Sequence, residues 1–278
     1  MVRLYSEIMT EKSFVHLHNH SEFSFIDGSS LLDSMASICS NLGMPAIALT
    51  DHGNMYGAID FYNACKTKNI KPIIGCEFYI APKSRFDKDP SYSYDHLTVI
   101  AKNNLGYSNL IKLVSKGNLE GFYYRPRIDK EILKEHSEGL VVLSGCPSAE
   151  LFKKIVSGDE KSIMDTIDWY KEVFGDDYYL EIMRHEHVDN QEKVNQWIIN
   201  NYKKLNLKIV ATNDNHYETK GDYEKEILLK NVRSGSSNPR SDILEDNSYY
   251  IAGPDEMREK FKDIPEACDN TLEIADKC

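Results

Sequence analysis

Short apolar runs alternate along the chain with stretches in which apolar residues recur every three or four positions. The runs at 14–18, 45–50, 72–80, 96–101, 139–144, 178–183 and 208–212 read as strands. Between them, 30–42 puts Leu31, Met35, Ile38 and Leu42 on one face. The segments 56–68, 107–118, 149–157, 160–174 and 190–205 repeat that spacing and are predicted helices. Strands with intervening helices predict an α/β fold, a parallel βα arrangement curled into a distorted barrel. Loops rich in Ser, Pro, Asp and Tyr interrupt it at 81–95 and 121–129. A Ser- and Gly-bearing stretch at 234–241 reads as a flexible connector. Beyond it, a short strand near 249–251 and helices at 254–261 and 265–277 are expected. The chain therefore divides into a barrel, 1–233, and a connector with the start of another region, 234–278.

Strand phase decides where polar residues point, because alternate residues share a face. His16, His18 and His20 fall in one phase, with His16 deep enough to be a packed core histidine. His52 follows Ala46, Ala48 and Thr50, small residues that suit a crowded interior. Glu77 is in phase with Ile73 and Gly75, Cys146 with Val142 and Ser144, and Asp214 and His216 with Val210 and Thr212. Asp27 lies in the loop after the first strand. These donor residues follow strands, where βα loops build barrel active sites. His96 begins its strand, which calls for either a reversed strand or a loop folded over the mouth. Each residue alone has an ordinary structural explanation, such as a hydrogen-bonded core histidine or a surface carboxylate; the set together does not.

Composition narrows this picture. A net charge of −11 argues against tight, general duplex binding, since phosphate neutralisation supplies most of that affinity, and suits a site holding several cations. Six cysteines with no C-x-x-C pair do not make a disulfide framework. No apolar run approaches a membrane span, and residues 1–12 lack the apolar core of a signal peptide, so the expected location is the cytoplasm. The 184–187 run Arg-His-Glu-His holds another H-x-H but lies in a loop. Tyr123, Tyr124, Arg125 and Arg127 could stack bases and meet phosphate, or form an ordinary solvent loop.

The motifs His18-x-His20, Thr50-Asp51-His52, Gly75-Cys76-Glu77, Asp95-His96-Leu97, Ser144-Gly145-Cys146 and Thr212-Asn213-Asp214-Asn215-His216 resemble the successive signatures of the PHP (polymerase and histidinol phosphatase) family. The segments 51–58 and 70–75 resemble the branch found in bacterial DNA polymerase III alpha subunits, and the resemblance spans essentially the whole chain. It implies a distorted (βα)7 barrel with a C-terminal extension leading toward a polymerase palm. It also implies a centre of two or three divalent ions (zinc, manganese or iron) held by His18, His20, Asp27, His52, Glu77, His96, Cys146, Asp214 and His216. Glu77, Asp214 and His216 are then the catalytic residues, with Asp51 orienting a ligand imidazole. Arg85, Arg125 and Arg127 are candidates for substrate phosphate. The implied activity is phosphodiester hydrolysis at a DNA 3′ end, a 3′–5′ exonuclease within a polymerase. Its implied partners are the remaining alpha-subunit domains and a proofreading exonuclease subunit. The alternatives are a histidinol-phosphate-type phosphatase, which shares the motifs, and a module that only stabilises the polymerase.

Overall fold

The apolar runs are rich in Val, Ile, Ala and Leu, which suit a pleated surface buried on both faces. In a computed structural model, which describes residues 13–25, 27–91, 93–234 and 247–278 (233 and 234 in backbone only), these runs form one 8-stranded sheet. Its strands are β1 (Ala46–Leu49), β2 (Lys71–Ile80), β3 (Asp95–Ala101), β4 (Phe122–Tyr123), β5 (Arg125–Ile128), β6 (Leu140–Leu143), β7 (Tyr178–Ile182) and β8 (Lys208–Ala211). The helices are α1 (Leu32–Asn41), α2 (Ala58–Thr67), α3 (Asn104–Leu119), α4 (Lys130–Glu135), α5 (Glu150–Ser157), α6 (Glu160–Phe174), α7 (Gln191–Asn201), α8 (Tyr223–Ser234), α9 (Pro254–Lys260) and α10 (Pro265–Lys277).

The long strand β2 organises the sheet. One edge takes β1 along Lys71–Ile74 and β5 at Tyr79 and Ile80, both parallel; the other takes β3, antiparallel. From β3 the sheet continues through β6, β7 and β8. Residues 13–20 join its ends: His16 bridges Ile47 beside β1, and Asn19 bridges Asn215 beyond β8. On the β1 side Ala48 donates its N–H to the His16 carbonyl (2.9 Å); on the β8 side His20 donates to the Asn215 carbonyl (2.7 Å). The curl expected from the sequence is thus present, although its first segment is held by isolated bridges rather than a regular ladder.

The structure also corrects the sequence reading. The sheet is mixed, because β3 runs antiparallel to both β2 and β6. Of the two explanations for His96, the reversed strand is the one observed. The stretch 121–129, read as a loop, is the β4–β5 hairpin. Helices α4 and α8 were not anticipated. The strand near 249–251 reduces to one bridge, Tyr217 to Tyr250. From residue 235 the connector lies outside the described residues.

Alternate residues separate two cores. Val15, Leu17, Ala46, Ala48, Ile73, Ile100, Val141, Leu143, Tyr179 and Val210 meet inside the curl. Cys76, Phe78, Leu97, Val99, Val142, Leu180 and Ile209 face the surrounding helices. Ile274 and Ala275 of α10 join the inner group. Asn270 caps the Ile209 carbonyl (2.7 Å), and Thr271 accepts the Val15 N–H (3.1 Å). The helix therefore closes the base of the barrel and leaves the opposite end for polar residues.

Candidate metal centre

At the open end, strand termini and the loops after them bring buried donors to one place. His18 and His20 come from the closing segment, His52 from the turn after β1, and Glu77 from β2. His96 comes from the reversed start of β3, Cys146 from the turn after β6, and Asp214 and His216 from the segment after β8. Asp27 approaches from the first loop. Asp214 holds φ 46°, a left-handed conformation uncommon for a non-glycine residue and enriched at functional sites.

Glu77 is central. Its Oε1 lies 3.3 Å from His18 Nε2, 3.1 Å from His96 Nδ1 and 3.4 Å from Cys146 Sγ. Its Oε2 lies 2.7 Å from His52 Nδ1 and 3.5 Å from His20 Nε2. Asp214 Oδ1 is 3.3 Å from His18 Nε2 and 3.1 Å from His20 Nε2. Asp27 Oδ1 meets His52 Nε2 at 2.9 Å, and Asp27 Oδ2 lies 3.8 Å from His216 Nε2. Donor atoms of His20, His52 and His216 fall within 4.8 Å of one another, as do those of His18, His20 and Asp214, and of His52, Glu77 and His96. All the residues the resemblance nominated as ligands are thus brought together.

The approaches are close, yet the atoms are not hydrogen-bonded. His18 Nε2, His20 Nε2, His52 Nδ1, Glu77 Oε2, Asp214 Oδ1 and Asp27 Oδ1 are buried with no hydrogen-bond partner. A native interior leaves few such atoms without a reason, and a cation is one. The other nitrogens of several rings are anchored. His18 Nδ1 donates to Glu181 Oε1 (2.9 Å), and His216 Nδ1 donates to the Asp214 carbonyl (2.7 Å). His20 Nδ1 meets Ser24 Oγ (3.0 Å), whose hydroxyl donates to Asp51 (2.7 Å). Each anchor turns the Nε2 lone pair toward the centre, the arrangement that metal-ligating imidazoles use. Asp51 therefore acts on His20 through a serine.

Electrostatics agree. Burial opposes charge on His18, but Asp214, Glu181 and Glu77 outweigh it and hold this imidazole well above its usual pKa. Burial likewise opposes charge on His52, and Asp27 and Glu77 raise it well above. Glu77, despite burial, is held well below the carboxylate range by His96, His18 and His52; Asp214 is held low by His18 and His216. His20 goes the other way, to about 3, through burial and the neighbouring His52 and His216. Burial, with Glu77 and Asp214 nearby, pushes the Cys146 thiol well up. The negative charge gathered at Glu77, Asp214 and Asp27 is charge that a divalent cation would balance.

Two sequence expectations about position change. Val142 faces outward while Val141 and Leu143 face inward, so Cys146 does not reach the centre by strand phase. It arrives through the turn at Gly145, φ 93°. His16 does not share a face with His18: it is fully buried, with Nε2 donating to the Ala252 carbonyl (2.9 Å) and Nδ1 accepting from Asn215 (2.9 Å).

The arginines divide. Arg85 is buried, its guanidinium on Glu120 (2.6 Å) and Asp129 (3.1 Å). Arg127 is buried too, donating to the carbonyls of Gly121 (3.2 Å), Arg85 (3.3 Å) and Asp87 (2.6 Å). Both tie the 81–95 loop to the hairpin, and reading them as substrate contacts was an error: a guanidinium already spent on internal acceptors cannot meet phosphate. Arg125 differs. It is half-buried over the Tyr79 ring (6.0 Å), which stacks on His52 (5.9 Å). The 184–187 run stays outside the donor cluster; His185 stacks on Tyr249 at 3.8 Å.

Two residues escaped sequence reasoning. Glu181 also accepts from Thr212 (2.7 Å) and from the Gly145 N–H (2.8 Å). Its signal was present, a carboxylate set between Leu180 and Ile182 in a buried strand. Lys230, 3.8 Å from Asp27, comes from α8, which no periodicity announced.

The PHP domain family matches residues 16–185 of the chain. The chain belongs to the PHP domain family. Over nearly all of its length this PHP chain is also similar to proteins named DNA polymerase III subunit alpha. It is 42% identical to the one from Borreliella burgdorferi (95% of this chain, 24% of that protein). It is 39% identical to that of Chlamydia pneumoniae (96% and 24%) and 40% to that of Treponema pallidum (97% and 24%). The PHP chain thus spans about a quarter of these relatives' length. Among solved structures it is similar to a two-domain Bacteroides vulgatus protein containing a predicted PHP-like metal-dependent phosphoesterase, at 13% identity over 96% of this chain and 70% of that one, TM-score 0.44. No helix among the described residues is long and apolar enough to cross a membrane.

Proposed function

We propose that this PHP domain is a metal-dependent phosphodiesterase that removes nucleotides from a DNA 3′ end, as part of a cytoplasmic DNA polymerase III alpha subunit. The observation that carries the reading is the convergence of buried, unpartnered donor atoms from His18, His20, His52, Glu77, Asp27 and Asp214. Membership of the family and similarity to polymerase subunits support it. With His96, Cys146 and His216, these residues would hold two or three divalent ions; imidazole and carboxylate donors suit zinc, manganese or iron, and the thiolate favours zinc. Bound there, such ions supply Lewis-acid stabilisation of charge at phosphorus and an activated water.

The protein's own residues do the rest. Glu181, and Asp51 through Ser24, hold His18 and His20 in their tautomers. Asp27, with a side chain 25% exposed, marks the accessible side of the centre, and Lys230 adds positive charge there. Arg125 is the remaining arginine candidate for substrate phosphate. A centre this deeply buried admits a frayed or single-stranded end more readily than a stacked, paired one. Residues 234–278 lead toward the polymerase palm in this reading, and the other alpha-subunit domains and a proofreading exonuclease subunit are the partners.

The test is metal analysis of the purified chain followed by degradation of a 3′-labelled single strand. The expected outcome is bound metal, a melting temperature lowered by chelation, and cleavage that falls at least about 100-fold in Asp214→Asn while the fold persists. Hydrolysis of phosphomonoesters alone would favour the small-molecule phosphatase, and neither metal nor hydrolysis would favour the purely structural module.

A further inference from the structure

Two large rings stand exposed on the loops that carry Asp27 and His52. Phe25 is 57% exposed and Tyr56 63%. They meet edge to face at 6.0 Å, with Phe23 behind Phe25 at 6.4 Å. Phe25 has φ 57°, a conformation that is strained for a bulky side chain and persists only where the surroundings impose it.

The surroundings here do so. Asp51 accepts the Ser21 N–H (2.7 Å) and the Ser24 hydroxyl (2.7 Å), which fixes the turn just before Phe25. Asn54 donates to the carbonyls of Phe23 (2.9 Å) and His52 (3.0 Å) and accepts the Tyr56 N–H (3.0 Å). One asparagine side chain thus links the loop bearing Phe25 to the turn bearing Tyr56. The Asp27–His52 contact at 2.9 Å links the same two loops again within the donor cluster. A Cβ on Gly57 would lie 2.9 Å from the Phe23 ring, so these loops are packed together at the base while the two rings project.

We propose that Phe25 and Tyr56 form a stacking platform for the terminal bases of a single-stranded nucleic acid whose scissile phosphate enters the donor cluster. The proposal rests on the hydrolytic reading above and names how its substrate is gripped. An acidic chain gains little from general attraction to phosphates, so the grip has to come from elsewhere. Aromatic faces supply it without sequence preference, because every base has a π-face. Similarity to DNA polymerase subunits favours nucleic acid over a polypeptide as the occupant of these rings.

The test uses the 278-residue chain and a single strand carrying 2-aminopurine at its 3′ end, titrated in chelator and then assayed for cleavage with manganese. Phe25→Gly removes one ring and relieves its backbone strain; Tyr56→Ala removes the other. Quenching of the terminal 2-aminopurine is expected with the unaltered chain, with affinity weakened about tenfold in Phe25→Gly and in Tyr56→Ala and retained in Phe25→Trp. In the cleavage assay KM should rise by a similar factor while kcat stays within about twofold. Quenching and KM unchanged from the unaltered chain in both variants would overturn the platform. So would absence of quenching with the unaltered chain, which would assign the rings to a protein interface. Quenching that is lost in the variants, with no cleavage by any chain, would support the platform and sink the hydrolytic reading instead.

Discussion

His16 and His18 stand two residues apart, and their neighbourhoods differ in kind. Around His16 the polar groups are paired. Asn19 donates to the carbonyls of His16 and Ala48, Asn215 donates to Asn19 and to His16, and Asn213 donates to Asn215 and to the carbonyls of Ser248 and Tyr250. This layer of asparagines stitches the closing segment, β1 and the chain after β8 into one unit. Around His18 and His20, by contrast, buried nitrogens and oxygens face one another without hydrogen bonds. Burial is equal; satisfaction is not. A buried polar group with partners holds a fold together, whereas a convergent set without them is prepared for something that arrives from outside.

The sharpest way to break this contrast is Glu77→Gln. With metal chelated, Glu77 is the carboxylate between His18, His20, His52 and His96, and its loss removes the negative charge that these rings share. The expected cost is roughly 3–5 kcal/mol of unfolding free energy, read by denaturant titration in chelator. A chain of unchanged stability would mean that the cluster does not depend on this charge.

The paired layer is tested by acid. Burial holds His16 at about 4, below its ordinary 6.5, so it stays neutral in the folded chain and takes up a proton on unfolding. Because the folded value lies below the unfolded one, protonation favours the unfolded state. The stability due to neutral His16 is complete above about pH 6.5 and is lost as the pH falls toward 4, by roughly 3 kcal/mol in total. His16→Gln, compared with the unaltered chain across that range in chelator, should show a shallower decline and only a mild change in hydrolysis. Parallel declines would place the acid sensitivity elsewhere.

The smallest effect expected is at Glu181, which belongs to both regions: it completes internal hydrogen bonds and also holds His18 toward the centre. Glu181→Gln keeps an acceptor for His18 but removes its charge. Metal affinity should fall about 10–100-fold, measured by competition with a chromogenic chelator, with little change in the far-ultraviolet spectrum. Unaltered affinity would make Glu181 purely structural.

The same contrast explains what the sequence could disclose. Alternation in β1, β2 and β8 pointed His52, Glu77 and Asp214 to the end where the structure gathers them: Glu77 lies within β2, and His52 and Asp214 follow β1 and β8 by three residues. Phase failed at Cys146 and in the closing segment. Gly145 re-aims Cys146, and the irregular closing segment turns His16 away from His18 and His20. The motif resemblance nominated those residues where periodicity could not. Arg85 and Arg127 were misjudged because charge in a loop says nothing about which carbonyls and carboxylates a later fold will bring to it. Glu181 was legible as an isolated acid in an apolar strand; Lys230 was not, since the pattern over α8 gave no helix.

The seal at the barrel's base has a consequence for synthesis. The Thr271 hydroxyl that accepts the Val15 N–H lies 256 residues downstream of it. At ribosomal rates, about 13–50 s separate the appearance of the two partners. During that interval Val15 and Leu17 have no Ile274 or Ala275 to cover them, so the segment that bears His18 and His20 is made long before the helix that encloses it.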